Sequence, residues 1–169
     1  MLDTLDLLIN LILIVLFVSA AVTDLKWKKI FNLQTYTAII CGISLHSLMA
    51  GWDGALFSFS GLLVGSALLL VFFLMGGVGA GDVKLLGAIG ALKGTTFVLW
   101  NMFYTGLIGG AMAIAVIILK GAGGKIFKNM FQFLRHPLTA QNEETKKENL
   151  YIPYGVAISI GCLWALCTV

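Results

Sequence analysis

Five stretches of this chain hold no aspartate, glutamate, lysine or arginine over lengths that match a lipid bilayer: Leu7–Thr23, Ile30–Trp52, Gly54–Gly81, Gly94–Leu119 and Asn149–Val169. A helix crossing the hydrocarbon needs about 20 mainly apolar residues, so each stretch can cross once. Only 11% of the 169 residues are charged, against about 25% in an ordinary soluble domain. A soluble enzyme and a disordered tail are excluded on that balance. A nucleic-acid-binding domain is excluded as well, because a net charge of +3 spread along the chain builds no basic patch. The remaining class is an all-α polytopic membrane protein, read as one membrane-embedded domain over residues 1–169.

The first stretch is not a signal peptide. Asp3 and Asp6 precede it where a signal carries positive charge, and its lysines follow the apolar run. Those lysines, Lys26, Lys28 and Lys29, form one basic group; Lys120 to Lys147 supplies a second, in and beside the only long loop. The positive-inside rule puts both groups in the cytoplasm, so an even number of crossings separates them. Helices near Leu33–Ala50, Leu56–Met75 and Thr96–Leu119 supply only three, and the short stretch Val83–Leu92 must therefore cross too. Six transmembrane helices result, with both termini outside and Gly79-Ala80-Gly81-Asp82 at the cytoplasmic start of the fourth. That fourth helix is short. From Val78 to Lys93 it reaches about 24 Å, less than the roughly 30 Å core, so Asp82 is expected slightly inside the cytoplasmic leaflet in a wet cleft. The loop at about 121–148 is too charged to span. Its first half fits a basic amphipathic helix on an anionic leaflet, and its second half a polar linker.

Most ionisable groups have simple explanations. Asp3, Asp6 and Asp53 fall at outer helix ends, and Glu143, Glu144 and Glu148 lie in the polar linker. His46 and His136 read as packing or surface residues, since a metal site needs three or four converging groups. Cys41, Cys162 and Cys167 form no C-x-x-C pair and read as buried membrane thiols. No metal and no cofactor is called for.

Asp24 and Asp82 are different. An ionisable group at or within the membrane is costly and is by default a functional hypothesis. Each has a structural explanation: Asp24 as part of a juxtamembrane cluster with Lys26 and Lys28, and Asp82 as the N-cap of a helix starting at Val83. The flanking Gly79 and Gly81 add a further expectation, that the backbone there takes positive φ and accepts a substrate strand by main-chain hydrogen bonds. Two aspartates on one wet face are the minimum equipment for aspartic proteolysis. One, ionised, takes a proton from the attacking water, and the other, protonated, donates to the carbonyl oxygen.

These residues resemble the type IV prepilin peptidases, membrane aspartic proteases of the G-x-G-D class. Gly79-Ala80-Gly81-Asp82-Val83-Lys84-Leu85 is similar to that family's second aspartate motif, and Asp24 through Asn32 to its first, with Phe31 where proline is usual. Ile152-Pro153-Tyr154-Gly155 resembles a third segment near the C-terminus. The resemblance implies Asp24 and Asp82 as catalytic residues. It implies Gly79, Gly81, Lys84, Asn32, Pro153 and Tyr154 as supporting or substrate-binding positions, with Lys84 open between holding substrate and snorkelling to the interface. The implied substrate is a prepilin or pseudopilin, its short basic leader removed near the cytoplasmic face of a bacterial inner membrane. The chain looks like the short form found with tight-adherence (Flp-type) pili, from which cleavage without N-methylation is expected. A presenilin-like G-x-G-D protease is a third possibility, although no P-A-L triplet occurs. The alternative from another class is a small proton- or ion-coupled transporter that uses the aspartates as a relay and packs its helices through Gly61, Gly65, Gly106 and Gly110. No nucleic-acid partner is expected.

Overall fold

In a computed structural model, residues 2–75, 77–119 and 154–168 are described, and all the regular structure among them is helical. The helices are α1 (Leu2–Trp27), α2 (Asn32–Leu74), α3 (Ala80–Leu119) and α4 (Tyr154–Thr168). Three are long and apolar enough to cross a membrane, over Asp6–Trp27, Asn32–Leu74 and Ala80–Ala115; α4 is a shorter apolar helix. Large apolar side chains such as Leu48, Leu33 and Leu74 point outward. An apolar exterior is what lipid as the solvent requires. The chain divides into two compact units, residues 1–108 with 153–169, and residues 109–152. The second unit contributes only the end of α3 to the described residues. The loop at about 121–148, with its expected surface helix, His136 and Pro153, lies outside them.

At 43 and 40 residues, α2 and α3 would each run about 60 Å if straight, twice the hydrocarbon thickness. Neither is straight. Each is broken at one glycine in the left-handed region, Gly51 (φ 58°) and Gly94 (φ 79°). At the first break the chain doubles back. His46 and Phe57, eleven residues apart, have ring centroids 4.9 Å from each other, whereas eleven residues of continuous helix span about 16 Å. Asp53 and Lys93 sit beside the two breaks. Counted by limb, the described residues form six helical pieces, and the short stretch inferred from charge parity is the first limb of α3.

Among the described residues of the first unit, that limb is the most deeply buried. Leu85, Leu86, Ala88, Ile89, Ala91 and Leu92 are wholly buried. It packs by backbone approach: Ser58 Oγ donates to the Ala91 carbonyl at 2.7 Å, and an added Cβ on Gly61 would run into the Gly90 carbonyl. Gly42 and Gly65 meet Ala91 and Leu86 in the same way. His46 Nε2 lies 3.0 Å from the Leu92 carbonyl oxygen, so it serves packing as expected. Gly106 and Gly110, by contrast, meet no described atom within 4 Å. A limb surrounded by protein rather than lipid has no need of a full bilayer length of apolar side chains, which accounts for its shortness. Gly90→Leu is expected to destabilise the fold by at least the roughly 1–3 kcal/mol typical of overpacking. Gly106→Leu should be neutral; thermal unfolding in detergent compares them.

Of the three thiols, only Cys162 is buried; Cys41 and Cys167 are exposed on the protein surface. The expectation of three buried thiols is corrected accordingly. A helix one face of which meets lipid carries apolar residues there as readily as on its packed face, so hydropathy does not tell the two apart.

Candidate active site

Asp24 comes from the last turn of α1. That helix runs four residues past the Thr23 expected as its end and stops at Trp27. Lys28 then takes a left-handed φ of 54° and its N–H reaches back 2.9 Å to the Asp24 carbonyl, closing the helix C-terminus. Residues 28–31 turn the chain, Phe31 is the extended N-cap of α2, and Thr23 Oγ1 contacts Gln34 Oε1 at 3.5 Å across the turn. Asp24 is buried, at 5% exposure. Its side chain is packed against protein.

Asp82 is also buried and comes from the first turn of α3. It is not the N-cap. The helix starts at Ala80, so Gly79 precedes it and Asp82 is the third helical residue. From there its Oδ2 accepts the Gly79 N–H at 3.1 Å. This is the carboxylate half of a capping box, in which an acidic side chain inside the first turn reaches back over the helix end. The expected positive φ at Gly79 and Gly81 is likewise corrected, because among the described residues only Lys28, Gly51 and Gly94 have it. Gly81 is required for another reason. Ile30 lies against its Cα, and a Cβ there would come within 3.1 Å of the Ile30 Cβ. The close backbone approach is made by the chain's own turn after Asp24.

That contact joins the two motifs, and a second one fixes them. Lys84 Nζ donates to Asn32 Oδ1 at 2.9 Å and sits 5.2 Å from the centre of the Tyr36 ring, within cation–π range. Asp24 and Asp82, remote along the chain, lie within coulombic reach of each other. Thus Asp24, Asp82, Gly79, Gly81, Lys84 and Asn32 come together. Tyr154 opens α4, half-buried, directly before Gly155, which the third segment contains but whose role its sequence does not disclose. Gly155 packs against the Asp24 side chain so closely that a Cβ would stand 2.8 Å from Oδ2 and 3.0 Å from Cγ. Ser159, one turn on, ties α4 to α1 by donating to the Phe17 carbonyl at 3.0 Å. Among the described residues no group of three or more His, Cys, Asp or Glu converges as a metal site would require.

Two buried carboxyls held at adjoining helix ends, in an apolar helical protein, are a specific pattern. A family model described as the type IV leader peptidase family matches residues 11–114. The chain belongs to the type IV leader peptidase family. The match takes in most of α1, all of α2, most of α3 and both aspartates, and it ends before α4. Family membership makes this a membrane-embedded protease acting on prepilin-type substrates, and it does not favour the transporter alternative. No curated protein and no solved structure matches the chain.

Proposed function

We propose that this family member is an aspartic endopeptidase that removes the short basic leader of a prepilin or pseudopilin, with Asp24 and Asp82 as the catalytic pair. The observation that carries the reading is the convergence of two buried aspartates from the ends of α1 and α3. In the reaction, the ionised carboxylate takes a proton from water as its oxygen attacks the scissile carbonyl carbon. The protonated partner gives its proton to the carbonyl oxygen. Collapse of the tetrahedral intermediate breaks the C–N bond: the proton taken from water passes to the leaving nitrogen, and one hydroxyl of the intermediate returns its proton to the partner carboxylate. Lys84 and Asn32 hold the two helix ends in register, a positioning role. The six helical limbs each cross the bilayer, both termini lie outside, and the aspartates face the cytoplasm at the inner membrane, where the leader waits. The distribution of basic residues supports that orientation.

The direct test incubates the purified protein with a prepilin and sequences the product's new N-terminus. A single cut between the basic leader and the apolar helix is the expected result, and no cut defeats the reading. The positioning role has its own signature. Lys84→Met and Asn32→Leu should each slow cleavage about fivefold, on the order of 1 kcal/mol, and the double variant should be no slower than either. Additive losses would mean that the two side chains act separately.

A further inference from the structure

Midway along α4 a glycine sits in a polar cup. A Cβ added at Gly161 would stand 2.6 Å from Thr105 Oγ1, 2.9 Å from the Thr105 backbone nitrogen and 3.0 Å from Asn101 Oδ1. Both residues belong to the limb of α3 after Gly94, and Thr105 Oγ1 donates to Asn101 Oδ1 at 3.0 Å across one turn of it. That bond holds the carboxamide oxygen beside Gly161. Asn101 is wholly buried, and Thr105 nearly so. Further along the same seam Tyr104 stacks on Trp164, with centroids 5.6 Å apart and rings 8° from parallel. Its hydroxyl donates to Thr168 Oγ1 at 3.2 Å. The peptidase chemistry uses none of these groups.

The cup is kept at a cost. Asn101 Nδ2 is buried and has no hydrogen-bond partner among the described residues. A buried amide left unmet is destabilising, and an apolar side chain would avoid the penalty. Between packed helices, the best attested use of such a residue is to fix register. α4 needs that. Apart from Ser159 its buried side chains, Ala157, Ile158, Cys162 and Ala165, are apolar, and apolar contact has no direction. The Ser159 tie to α1 is divided. Its one hydroxyl hydrogen has two acceptors, the Phe17 carbonyl at 3.0 Å and, nearer, the Gly155 carbonyl of its own helix at 2.7 Å.

We infer that Asn101 and Thr105 are positioning residues: they fix the height of α4 along its axis, and with it the seat that Gly155 makes for Asp24. The inference rests on the peptidase reading above and adds to it two residues of α3 that act through α4. Gly161 lies six residues from Gly155, about 9 Å along the helix. A helix is rigid over that distance, so a slip at the cup arrives at the Asp24 contact nearly undiminished.

The test is single-turnover cleavage of the prepilin used in the direct test, with the whole chain purified in detergent and in saturating excess. Under those conditions a smaller folded fraction leaves the rate constant alone, whereas a misplaced Asp24 lowers it. Thr105→Val keeps the shape of the side chain and deletes its hydroxyl. It should lower the rate constant about tenfold, within the range that a displaced catalytic group produces. The enzyme concentration for half-maximal rate should hardly change. Thr105→Ser, which returns the hydroxyl, should recover most of the rate. Asn101→Leu should be as slow as Thr105→Val; if it fails to fold, Thr105→Val decides.

A double variant shows the route. Combined with Gly155→Ala, Thr105→Val should cost much less than the product of the two single losses. Positions this far apart are ordinarily independent, so the shortfall would mean that one helix carries both effects. A full rate constant in Thr105→Val, or losses that multiply with Gly155→Ala, overturns the inference and leaves the peptidase standing. No cleavage by the unmutated chain overturns both.

Discussion

Asp24→Asn and Asp82→Asn are each expected to abolish removal of the leader while leaving the protein folded. The carboxamide keeps the size and shape of the side chain. At position 82 it can still accept the Gly79 N–H through its oxygen, so the first turn of α3 keeps its cap. What it cannot do is take a proton from water or share one with its neighbour. General acid–base groups contribute about 10²–10⁴-fold each. Groups that act as a unit fail as a unit, so the double variant should be little worse than either single one. Accumulated mature pilin, followed by gel mobility and N-terminal sequencing, gives the rate; thermal unfolding in detergent checks the fold. Full processing by either variant would remove the dyad from the mechanism.

Gly155→Ala should be nearly as damaging, although it touches no reacting atom. The new methyl carbon would stand 2.8 Å from Asp24 Oδ2 and 3.1 Å from its Cβ, inside ordinary contact distance, so α4 or the carboxylate must shift. Overpacking of this kind costs about 1–3 kcal/mol of stability. Displacing a catalytic group by about 1 Å can cost 10²-fold in rate. A loss of kcat near a hundredfold, with KM for prepilin little changed and the fold retained, is the expected outcome. Gly106→Ala, on a face that meets no described atom, is the control. An equal and small effect at both positions would mean that α4 does not seat Asp24.

Charge was the informative signal in the sequence. In a chain so poor in ionisable groups, each aspartate demanded an explanation, and Asp24 and Asp82 were the two without a comfortable one. The helix breaks were legible for the same reason, since Asp53 and Lys93 mark where apolar runs must end. Local geometry was harder to read. Among 20 glycines, nothing in the letters separates Gly51 and Gly94, which take positive φ, from Gly81, which lets Ile30 approach, or from Gly155, which makes room for a carboxylate. The place of Asp82 in the first turn was not legible either, because an aspartate before Val83 looks the same as an N-cap and as a third residue reaching back.

The contact between Gly155 and Asp24 also says something about when the protein becomes active. The ribosome delivers Asp24 first, Asp82 much later and Gly155 last, so both acidic groups are in the membrane before the piece that seats the first of them has been made. A nascent chain halted in the loop before α4 would hold a complete chemical inventory with a misaimed member. On the peptidase reading proposed above, competence therefore waits for α4, and a copy made without it is an idle one.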